Sequence, residues 1–490
     1  MEPQVLIVGA GPVGLTMAGE LARYGVSARI VDKAAQRTDK SKALVIWSRT
    51  LELLDRAGSS EAFVAAGHKV TGANIIAGGR AIGHISIDTV GSPYPYALIV
   101  PQSDTERLLE TQGERFGVRV ERSVELTGFV ADDDGVAATL RHDDGREETV
   151  RSAWLIGCDG AHSLVRHRLG LAFEGDTLQS DWFLADVHLR GLPFPDSDIA
   201  TYWHQDGALV FFPISPGRYR VIADRGRAEG DAPETPTLDQ VQAVLDRRGP
   251  AGVVVSDPIW LSGFRINERK VRDYRSGRVF LAGDAAHVHS PAGGQGMNTG
   301  MQDAINLAWK LAMVCRGRCP ERVLDSYSAE RSEVGRQVLK AAGRLTEVAV
   351  MRNPVAQIAR NLAGWFLLGL APVRRAMVET MTEVSLGYPH SPLNGRGLLG
   401  FGPEPGERMT PVAGEAPVGS GDVPRFALFG AEGETTSRLL RMYPDLLETA
   451  VRPPVRADWV WLVRPDGYVA CVGAAGDSGV FEEYLGAFAG

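Results

Sequence analysis

Residues 278–311 read RVFLAGDAAHVHSPAGGQGMNTGMQDAINLAWKL and carry the most informative pattern in the chain. The apolar run Val279–Ala282 predicts a short buried strand, which ends at Gly283 and Asp284. A glycine-rich loop follows, and then apolar residues recur every three or four positions. That spacing predicts a helix with one face against a core, formed by Met301, Ile305, Ala308 and Ala312.

Two features of this stretch suit a flat ligand that carries a sugar. Asp284 lies at the carboxyl end of the predicted strand, where its carboxylate can accept hydrogen bonds from sugar hydroxyls. The loop contains Gly293, Gly294 and Gly296, which let the backbone approach a ligand closely. The loop leads into the N-terminus of a helix, which carries partial positive charge. A glycine-rich active-site loop of some other α/β enzyme is the alternative interpretation.

The N-terminus carries a second pattern, VLIVGAGPVGLTMAGELARYGVSARIVDK, at residues 5–33. Val5–Val8 predicts a buried parallel strand, and three glycines follow it in the spacing G-x-G-x-x-G: Gly9, Gly11 and Gly14. A predicted helix leads to a second strand, Ala28–Val31, followed by Asp32, an acidic residue that can bind ribose hydroxyls. Together these features predict dinucleotide binding without saying which dinucleotide.

The composition limits the class of protein. With 490 residues, about three domains are expected. The formal net charge is −8 and there is no basic run, which argues against nucleic acid as the main partner. No signal peptide precedes the first strand, and the longest apolar stretch, Trp365–Val373, is too short to span a bilayer. The four cysteines are consistent with reduced thiols, so we expect a cytoplasmic protein. We also expect no membrane segment and no metal site.

Further polar residues are candidates for ligand contact. Lys42 and Arg49 are cations near the expected pyrophosphate, although each can equally be a solvated surface charge. Gln102, before a predicted helix, can reach the ligand or be an ordinary polar loop residue. Residues 118–150 alternate apolar and polar between turn signals, which predicts a β-meander. The run WLIGCD then predicts another strand, which ends at Asp159.

Three motifs occur in one order: the glycine turn with its acidic residue, GCDGAHSLVR at residues 157–166, and GRVFLAGDAAHVHSPAGGQGMNTGMQDAINLAWKLA at residues 277–312. In this combination the sequence closely resembles the class A flavoprotein monooxygenases, the aromatic hydroxylase family, over essentially the whole chain. The resemblance implies an α/β fold with a Rossmann-like FAD-binding domain and an inserted antiparallel β-sheet for the substrate. It also implies a C-terminal thioredoxin-like α/β domain, as in the phenol-hydroxylase and polyketide-hydroxylase branch.

On this basis the chain divides into four stretches. Residues 1–175 and 265–395 form the FAD-binding domain, the second stretch including an added helical segment. Residues 176–264 form the substrate sheet. Residues 396–490 form the thioredoxin-like domain, which has no C-x-x-C motif and therefore no thiol exchange, so we expect a structural role for it.

Pattern and resemblance together give the candidate contacts to FAD. They are Gly9, Gly11, Pro12, Gly14, Asp32, Lys33, Lys42, Gln102, Asp159, Gly283, Asp284, Pro291, Gly294, Gly296, Met297 and Asn298. One departure from the family is Ser41-Lys42-Ala43, where many members have Pro-Arg-Ala. Lysine keeps the charge but loses the bidentate fork of arginine.

Four side chains of the strand-rich region are candidates to face a flat substrate, with ordinary sheet packing as the alternative. They are Tyr202, His204, Phe212 and Tyr219. No catalytic residue and no substrate base can be named.

The resemblance implies a reaction as well as a fold. One FAD would be bound non-covalently, and NADPH or NADH would dock transiently because no second dinucleotide domain is present. Reduced flavin would react with dioxygen to a flavin hydroperoxide, which hydroxylates a small aromatic substrate of the phenolic or polyketide type. A Baeyer–Villiger-type or antibiotic-inactivating flavin monooxygenase is the main alternative, and a non-catalytic flavoprotein is a further one. The protein is expected to be a monomer or a homodimer.

Overall fold

The computed structural model describes residues 2–228, 230, 232–397, 400 and 402–489. Its central element is a six-stranded sheet in which five neighbouring strands run parallel and one edge strand, β18, is antiparallel. In spatial order the strands are β18 (Arg275–Ser276), β19 (Val279–Leu281), β12 (Trp154–Gly157), β1 (Val5–Val8), β2 (Ala28–Asp32) and β8 (Val120–Arg122).

The strands predicted at residues 5–8, 28–31 and 279–282 are present in this sheet. Their apolar side chains are almost fully buried because helices pack on the sheet. The helices of the described residues are α1 (Pro12–Arg23), α2 (Ser48–Asp55), α3 (Ser60–Ala66), α4 (Gln102–Arg115), α5 (Leu164–Arg168), α6 (Leu238–Arg248), α7 (Gly296–Cys315), α8 (Asp325–Ala349), α9 (Pro354–Gly369), α10 (Ala371–Met381), α11 (Glu434–Met442) and α12 (Gly479–Ala489). No helix in the described ranges is both long and apolar enough to cross a membrane.

A second large sheet has eight strands, antiparallel except for the pair β14 and β5. Its order is β20 (His287–Val288), β17 (Val254–Lys270), β13 (Glu174–Arg190), β16 (Arg218–Arg227), β15 (Gly207–Ser215), β14 (Asp198–His204), β5 (Gly72–Ala77) and β6 (Arg80–Ser86). The sheet expected from residues 176–264 therefore also receives strands from residues 72–86 and 287–288. These strands join it through pairing between residues distant in sequence.

Side-chain alternation gives the eight-stranded sheet two distinct faces. One face, the outer face, packs against α6 and buries Phe183, Phe211, Tyr219 and Val221. The opposite face, the inner face, buries residues such as Ile199 and Ile214. This face shares a hydrophobic cluster with Leu368 of α9, with Val378 of α10 and with the segment after residue 43. The residues of that segment are Leu44, Val45 and Trp47.

Two small sheets complete the FAD-binding half of the chain. One has the order β3 (Val45–Ile46), β7 (Ala97–Ile99) and β4 (His68–Val70), and the other has the order β11 (Glu147–Ser152), β10 (Val136–His142) and β9 (Val124–Ala131). The second is the predicted meander, but it begins later than residue 118. The strand β8 instead pairs in parallel with β2, because it follows the crossover helix α4.

The C-terminal unit has the order strand, helix, strand, strand, helix. Its strands β21 (Ala427–Phe429), β22 (Trp459–Val463) and β23 (Val469–Ala474) form an antiparallel sheet with α11 and α12 beside it. This unit shares a core with the central sheet. Trp309 of α7 lies 6.0 Å from the ring of Phe426 and 6.2 Å from that of Phe488.

Candidate active site

The carboxyl ends of four neighbouring parallel strands carry the predicted ligand-binding groups in a row. Asp284 follows β19, Asp159 follows β12, the glycine turn follows β1, and Asp32 ends β2. Strands in a sheet lie about 4.8 Å apart, so the row spans on the order of 15 Å. An extended dinucleotide that lies across these strand ends is within reach of all four positions.

The glycine turn after β1 has no room for side chains at two of its three glycines. Gly9 has a φ of +102°, and a β-carbon built on it lies 2.4 Å from the carbonyl oxygen of Cys158. A β-carbon on Gly14 lies 1.9 Å from the carbonyl oxygen of Gly9. One on Gly11 meets no described atom within 4 Å beyond its chain neighbours, so Gly11 faces open space just before Pro12 begins α1. The turn therefore presents bare backbone at a helix N-terminus, which suits a pyrophosphate.

Asp32 supports the turn and still has capacity for a ligand. Its Oδ2 accepts a hydrogen bond from the Ala10 N–H at 2.6 Å, and its Oδ1 accepts one from the Ala34 N–H at 2.8 Å. A carboxylate has about four acceptor positions, so roughly two are left for sugar hydroxyls. Asp32 is half-buried, whereas the neighbouring Lys33 is exposed. The geometry of Asp32 fits a ribose contact.

Gln102 lies near this end of the row, but its side-chain amide is engaged within the protein. Its Oε1 accepts from the Ala43 N–H at 3.1 Å, and its Nε2 donates to Glu106 at 3.0 Å. These bonds fix the segment that carries Lys42. Glu106 was not singled out from the sequence. Burial raises the pKa of Glu106 and the charge of Asp32 adds to the rise, while the hydrogen bond from Gln102 opposes it.

Asp159 has an acceptor that the protein leaves unused. Its Oδ2 accepts from the Val165 N–H at 3.1 Å, at the start of α5. Its Oδ1 is buried and has no hydrogen-bond partner among the described residues. A buried carboxylate oxygen without a partner is unfavourable by about 1–3 kcal/mol or more, so a donor from a ligand fits this position.

Asp284 lies in a depression of the molecular surface. Its side chain is exposed, yet the surrounding protein raises the pKa of its carboxyl by desolvation, against the attraction of His287 and Lys42. Solvent access together with desolvation indicates a concave surface. Lys42, which opposes this rise through its charge, is itself exposed. Gly283 has a φ of +60°, and a β-carbon on it lies 2.7 Å from Val13 of α1, which excludes a side chain.

The N-terminus of α7 offers free backbone donors at the end of the glycine-rich loop. Gly296 is its first residue, and the first backbone hydrogen bond at this end runs from the Thr299 N–H to the Gln295 carbonyl at 2.8 Å. The earlier N–H groups, including that of Met297, therefore have no acceptor one turn back. Gly294 has a φ of +64°, which favours glycine. This helix end suits the negatively charged edge of a ring.

Asn298, in contrast, uses its side chain within the protein. Its Oδ1 accepts from the Trp47 N–H at 2.8 Å, and its Nδ2 donates to the Val45 and Gly294 carbonyls, each at 2.9 Å. The indole Nε1 of Trp47 donates to the Gly293 carbonyl at 2.8 Å. These bonds tie the loop to β3, so the side chain of Asn298 shapes the site and only its backbone is available to a ligand.

His289 lies at the same loop and was not singled out from the sequence. Its Nδ1 lies 2.8 Å from the Ser290 carbonyl, an arrangement that assigns the proton to Nδ1 and leaves Nε2 as an acceptor. Nε2 is buried without a partner within the described chain and lies 3.4 Å from a β-carbon built on Gly296. Burial, and then the charge of His287, lower its pKa to about 4, which keeps the ring neutral. Pro291, two residues later, is exposed.

Of the four substrate candidates, Phe212 alone belongs to the inner face of the eight-stranded sheet, where it packs with the cluster around β3. Tyr202 and Tyr219 pack in the outer cluster under α6. His204 pairs with Asp206 at 3.4 Å on that side. These contacts favour ordinary sheet packing for the three residues on the outer face, and a substrate contact for them stays a prediction. Strand alternation was readable from the sequence, but which face meets the nucleotide-binding sheet was not.

The inner face also carries a buried ion pair. Arg220 is opposite Phe212 in the strand register, and its Nε lies 2.7 Å from Oδ1 of Asp186. A further N–H of Arg220 donates to the Lys42 carbonyl at 3.0 Å. The inner face and the Lys42 segment are thereby held together. The side chain of Lys42 itself stays exposed at the row of strand ends.

The family model described as FAD binding domain matches residues 2–342 of this chain. The chain belongs to this FAD-binding family. Nothing in the described residues forms a cluster of metal ligands. The fit to FAD rests on the bare glycine turn, the unpartnered Asp159 Oδ1 and the free N-terminus of α7, which lie along one edge.

The relatives of this FAD-binding protein are class A flavoprotein monooxygenases. A 6-methylpretetramide 4-monooxygenase from Streptomyces rimosus is 38% identical, over 96% of this chain and 91% of its own length. A pentachlorophenol 4-monooxygenase from Sphingobium chlorophenolicum is 36% identical, over 95% and 86%. The structure of the anhydrotetracycline hydroxylase OxyS from Streptomyces rimosus superposes with a TM-score of 0.81 at 31% identity, covering 100% of this chain and 99% of that one. The protein is an FAD-dependent monooxygenase.

Proposed function

We propose that this monooxygenase hydroxylates an aromatic substrate of the phenolic or polyketide type, with dioxygen and a transiently docked NADPH or NADH. The observation that carries the proposal is the row of ligand-facing groups at the ends of β19, β12, β1 and β2. Relatives whose names specify tetracycline precursors and a chlorinated phenol support the substrate class. They do not favour a Baeyer–Villiger or antibiotic-inactivating reaction over hydroxylation.

In this proposal each strand end would hold one part of FAD. Asp32 would hold the adenosine ribose, and the backbone from Gly9 to Gly14 would hold the pyrophosphate. Asp284 would lie at the ribityl chain or the pyrophosphate region, and Asp159 and Asp284 would accept hydrogen bonds from ribityl hydroxyl groups. Bound FAD supplies hydride acceptance from the nicotinamide and activation of dioxygen. The protein supplies position and electrostatics.

The loop 291–296 and the start of α7 would surround the flavin ring. The free N–H groups of α7 stabilise negative charge on the ring by about 0.5–2 kcal/mol. His289 offers a neutral acceptor at Nε2 for a hydrogen-bond donor at this ring. We propose a positioning role for His289, because its Nε2 is a buried acceptor beside Gly296, and its pKa of about 4 keeps the ring neutral near neutral pH.

The substrate would bind between the inner face and the loop. Phe212 lies on this face, and the methionines Met377 and Met381 of α10 pack against the same cluster. Aromatic and thioether side chains suit a flat apolar molecule. We assign no substrate base.

The C-terminal unit would be a thioredoxin-like domain with a structural role. Its cysteine, Cys471, is fully buried, and burial raises the pKa of its thiol. All four cysteines are free, which supports a reducing, cytosolic location. We keep the domain division of the sequence as a proposal, with residues 72–86 added to the substrate sheet because β5 and β6 pair within it.

A single screen tests the reaction. Purified holoenzyme is incubated with NADPH and a panel of phenols and aromatic polyketides, with nicotinamide oxidation and products both measured. We expect oxidation at least about tenfold faster with a true substrate, and a product with a new hydroxyl group by NMR. An oxygen inserted into a ring, or nicotinamide oxidation that no ligand stimulates, would contradict the proposal.

A further inference from the structure

Helix α9 presents an apolar surface to solvent. All sixteen of its residues are described, and every exposed one is apolar or glycine. Its polar side chains turn inward instead, since Gln357 and Arg360 are buried. Surface helices normally have the opposite arrangement, with polar residues outward.

The inward contacts fix this orientation. Arg360 Nη1 donates to the Val348 carbonyl at 3.0 Å, and its guanidinium lies 4.8 Å from the ring centre of Trp203. Gln357 Nε2 donates to the Met351 carbonyl at 2.6 Å. The helix therefore cannot rotate to bury its apolar face without breaking these bonds.

The apolar surface has the size of a protein interface. Seven of the fourteen exposed large apolar side chains among the described residues lie here, each exposed by 42% to 76%: Val355, Ile358, Leu362, Trp365, Phe366, Leu367 and Leu370. With roughly 150–250 Å² for a full side chain, the span that holds for aromatic residues, they expose on the order of 600–1,000 Å² together. The largest apolar patch of a typical monomer is about 300–600 Å², whereas one side of a standard interface is about 800 Å².

We propose that the outward face of α9 is the contact surface of a homodimer, in which α9 packs against α9 of a second copy of this chain. A two-fold contact places the same patch on both subunits. A charged residue at its centre would therefore face a charge of the same sign and be repelled. The exposed residues of α9 carry no charge. Cations beyond the two ends of the helix are engaged within the chain: Arg352 pairs with Asp224 at 3.0 Å, Arg374 donates to the Leu368 carbonyl at 2.6 Å, and Arg375 pairs with Glu379 at 2.8 Å.

A membrane surface is the less suitable partner. Helices that lie in a membrane interface carry lysines and arginines along their polar face, where these meet anionic headgroups. The polar face of α9 is buried, and its one arginine, Arg360, points into the protein. The chain as a whole has a net charge of −8, which repels an anionic bilayer.

Light scattering of the FAD-loaded full chain during size exclusion tests the proposal. We expect the wild type at twice the 52.7 kDa chain mass. Leu362→Glu should elute at the single-chain mass with FAD content and unfolding temperature retained. Val130→Glu is the matched control, because Val130 is 72% exposed on β9, outside the patch, and this variant should stay dimeric.

A second variant covers the case in which Leu362→Glu disturbs the helix. Leu362 lies near the middle of α9, so in an antiparallel pair it meets its own copy. Leu362→Cys should therefore give a reducible dimer on mild oxidation, and Val130→Cys should not. A wild type that elutes at the single-chain mass of 52.7 kDa at micromolar concentration would overturn the proposal. Binding of this single chain to phosphatidylglycerol vesicles would overturn it as well. A dimer that persists in Leu362→Glu, or the absence of a Leu362→Cys cross-link, would also overturn it.

Discussion

Arg464 and Glu330 form a two-point ion pair in the interior of the protein. Arg464, directly after β22, donates from Nη1 to Glu330 Oε1 at 2.6 Å and from Nη2 to Glu330 Oε2 at 3.0 Å. Glu330, on α8, also accepts from Lys310 of α7 at 2.8 Å. All three side chains are fully buried. The pair therefore attaches the C-terminal unit to the helices of the FAD-binding domain.

Replacing Arg464 should strongly destabilise the holoenzyme. Arg464→Met leaves the buried Glu330 with one cation in place of two, and breaking such a pair costs about 3–5 kcal/mol. We expect a clearly lower midpoint of thermal unfolding. Arg336→Met is the control, because Arg336 pairs with Glu333 at the surface, where a salt bridge contributes about 1 kcal/mol or less. Equal midpoints for the two variants would contradict the interpretation.

Asp159→Ala should weaken FAD binding. The variant removes the unpartnered Oδ1, and hydrogen bonds to charged groups contribute about 1.5–3 kcal/mol, so the Kd should rise roughly ten- to 150-fold. Flavin fluorescence titration of the apoprotein measures it. Ser163→Ala is the control: it removes the N-cap of α5, where the Ser163 side chain accepts from the Arg166 N–H, and should leave FAD affinity unchanged. Equal losses in both variants would assign the effect to α5 and not to the cofactor.

His289 should be detectable in the bound flavin. His289→Leu removes an acceptor worth about 0.5–1.5 kcal/mol, so FAD affinity should fall by roughly two- to tenfold and the visible flavin spectrum should shift. His289→Asn restores an acceptor at this position and should recover most of the affinity. If both variants bind FAD as the wild type does, with an unchanged spectrum, Nε2 has no contact to the ring.

Glu383 should make stability depend on pH. This buried residue accepts hydrogen bonds from Thr299 at 3.0 Å and Gln302 at 2.5 Å. Burial raises its pKa to about 8, against the hydrogen bond from Thr299 and the attraction of Arg331. The folded state thus holds a proton that the unfolded state releases above a pKa of about 4.3, so this residue's contribution to stability falls as pH rises toward 8.

Glu383→Gln removes this titration. The unfolding midpoint of the variant should decline less than that of the wild type between about pH 5 and pH 8. Glu379→Gln, at a half-buried position paired with Arg375, serves as the comparison and should follow the wild type. Parallel pH profiles for the wild type and Glu383→Gln would show that Glu383 is ionised in the folded protein.

Cys471→Ala should leave turnover within about twofold. The thiol is buried in β23 beside Gly395, and no second cysteine accompanies it in the C-terminal unit. The change removes one small buried group, with an expected loss of stability of about 1 kcal/mol. Activity per bound FAD is the relevant measurement, since it separates chemistry from folding. A large loss at full FAD content would show that the thiol has a chemical role.

The sequence predicted the parts of the fold that local patterns encode. Neighbouring residues determine the glycine turn and the helix that begins near Gly296. They also determine the buried strands at residues 5–8, 28–31 and 279–282. The pairing of β5 with β14 is not, because it joins residues more than a hundred positions apart. Local alternation carries no information about such a partner.

The same limit applies within the site. Gln102 and Asn298 have residue types that suit a ligand, but their hydrogen-bonding groups are taken by Ala43, Val45 and the loop backbone. The sequence did not indicate His289, because what marks this residue is a ring nitrogen without a hydrogen-bond partner. That feature is visible only in the folded structure, where the Ser290 carbonyl orients the ring. The residue type predicts which hydrogen-bond donors and acceptors a side chain has. Only the folded structure shows which of them have no partner within the protein.

The ion pair between Arg464 and Glu330 restricts how this protein can be recombined with its relatives. A chimera that exchanges the C-terminal unit alone brings a foreign residue against the buried carboxylate of Glu330. An exchange that also transfers the α7 and α8 positions of Lys310 and Glu330 keeps these three buried charges together. For this charge cluster, the unit of exchange is therefore the C-terminal sheet together with two helices that come far earlier in the chain.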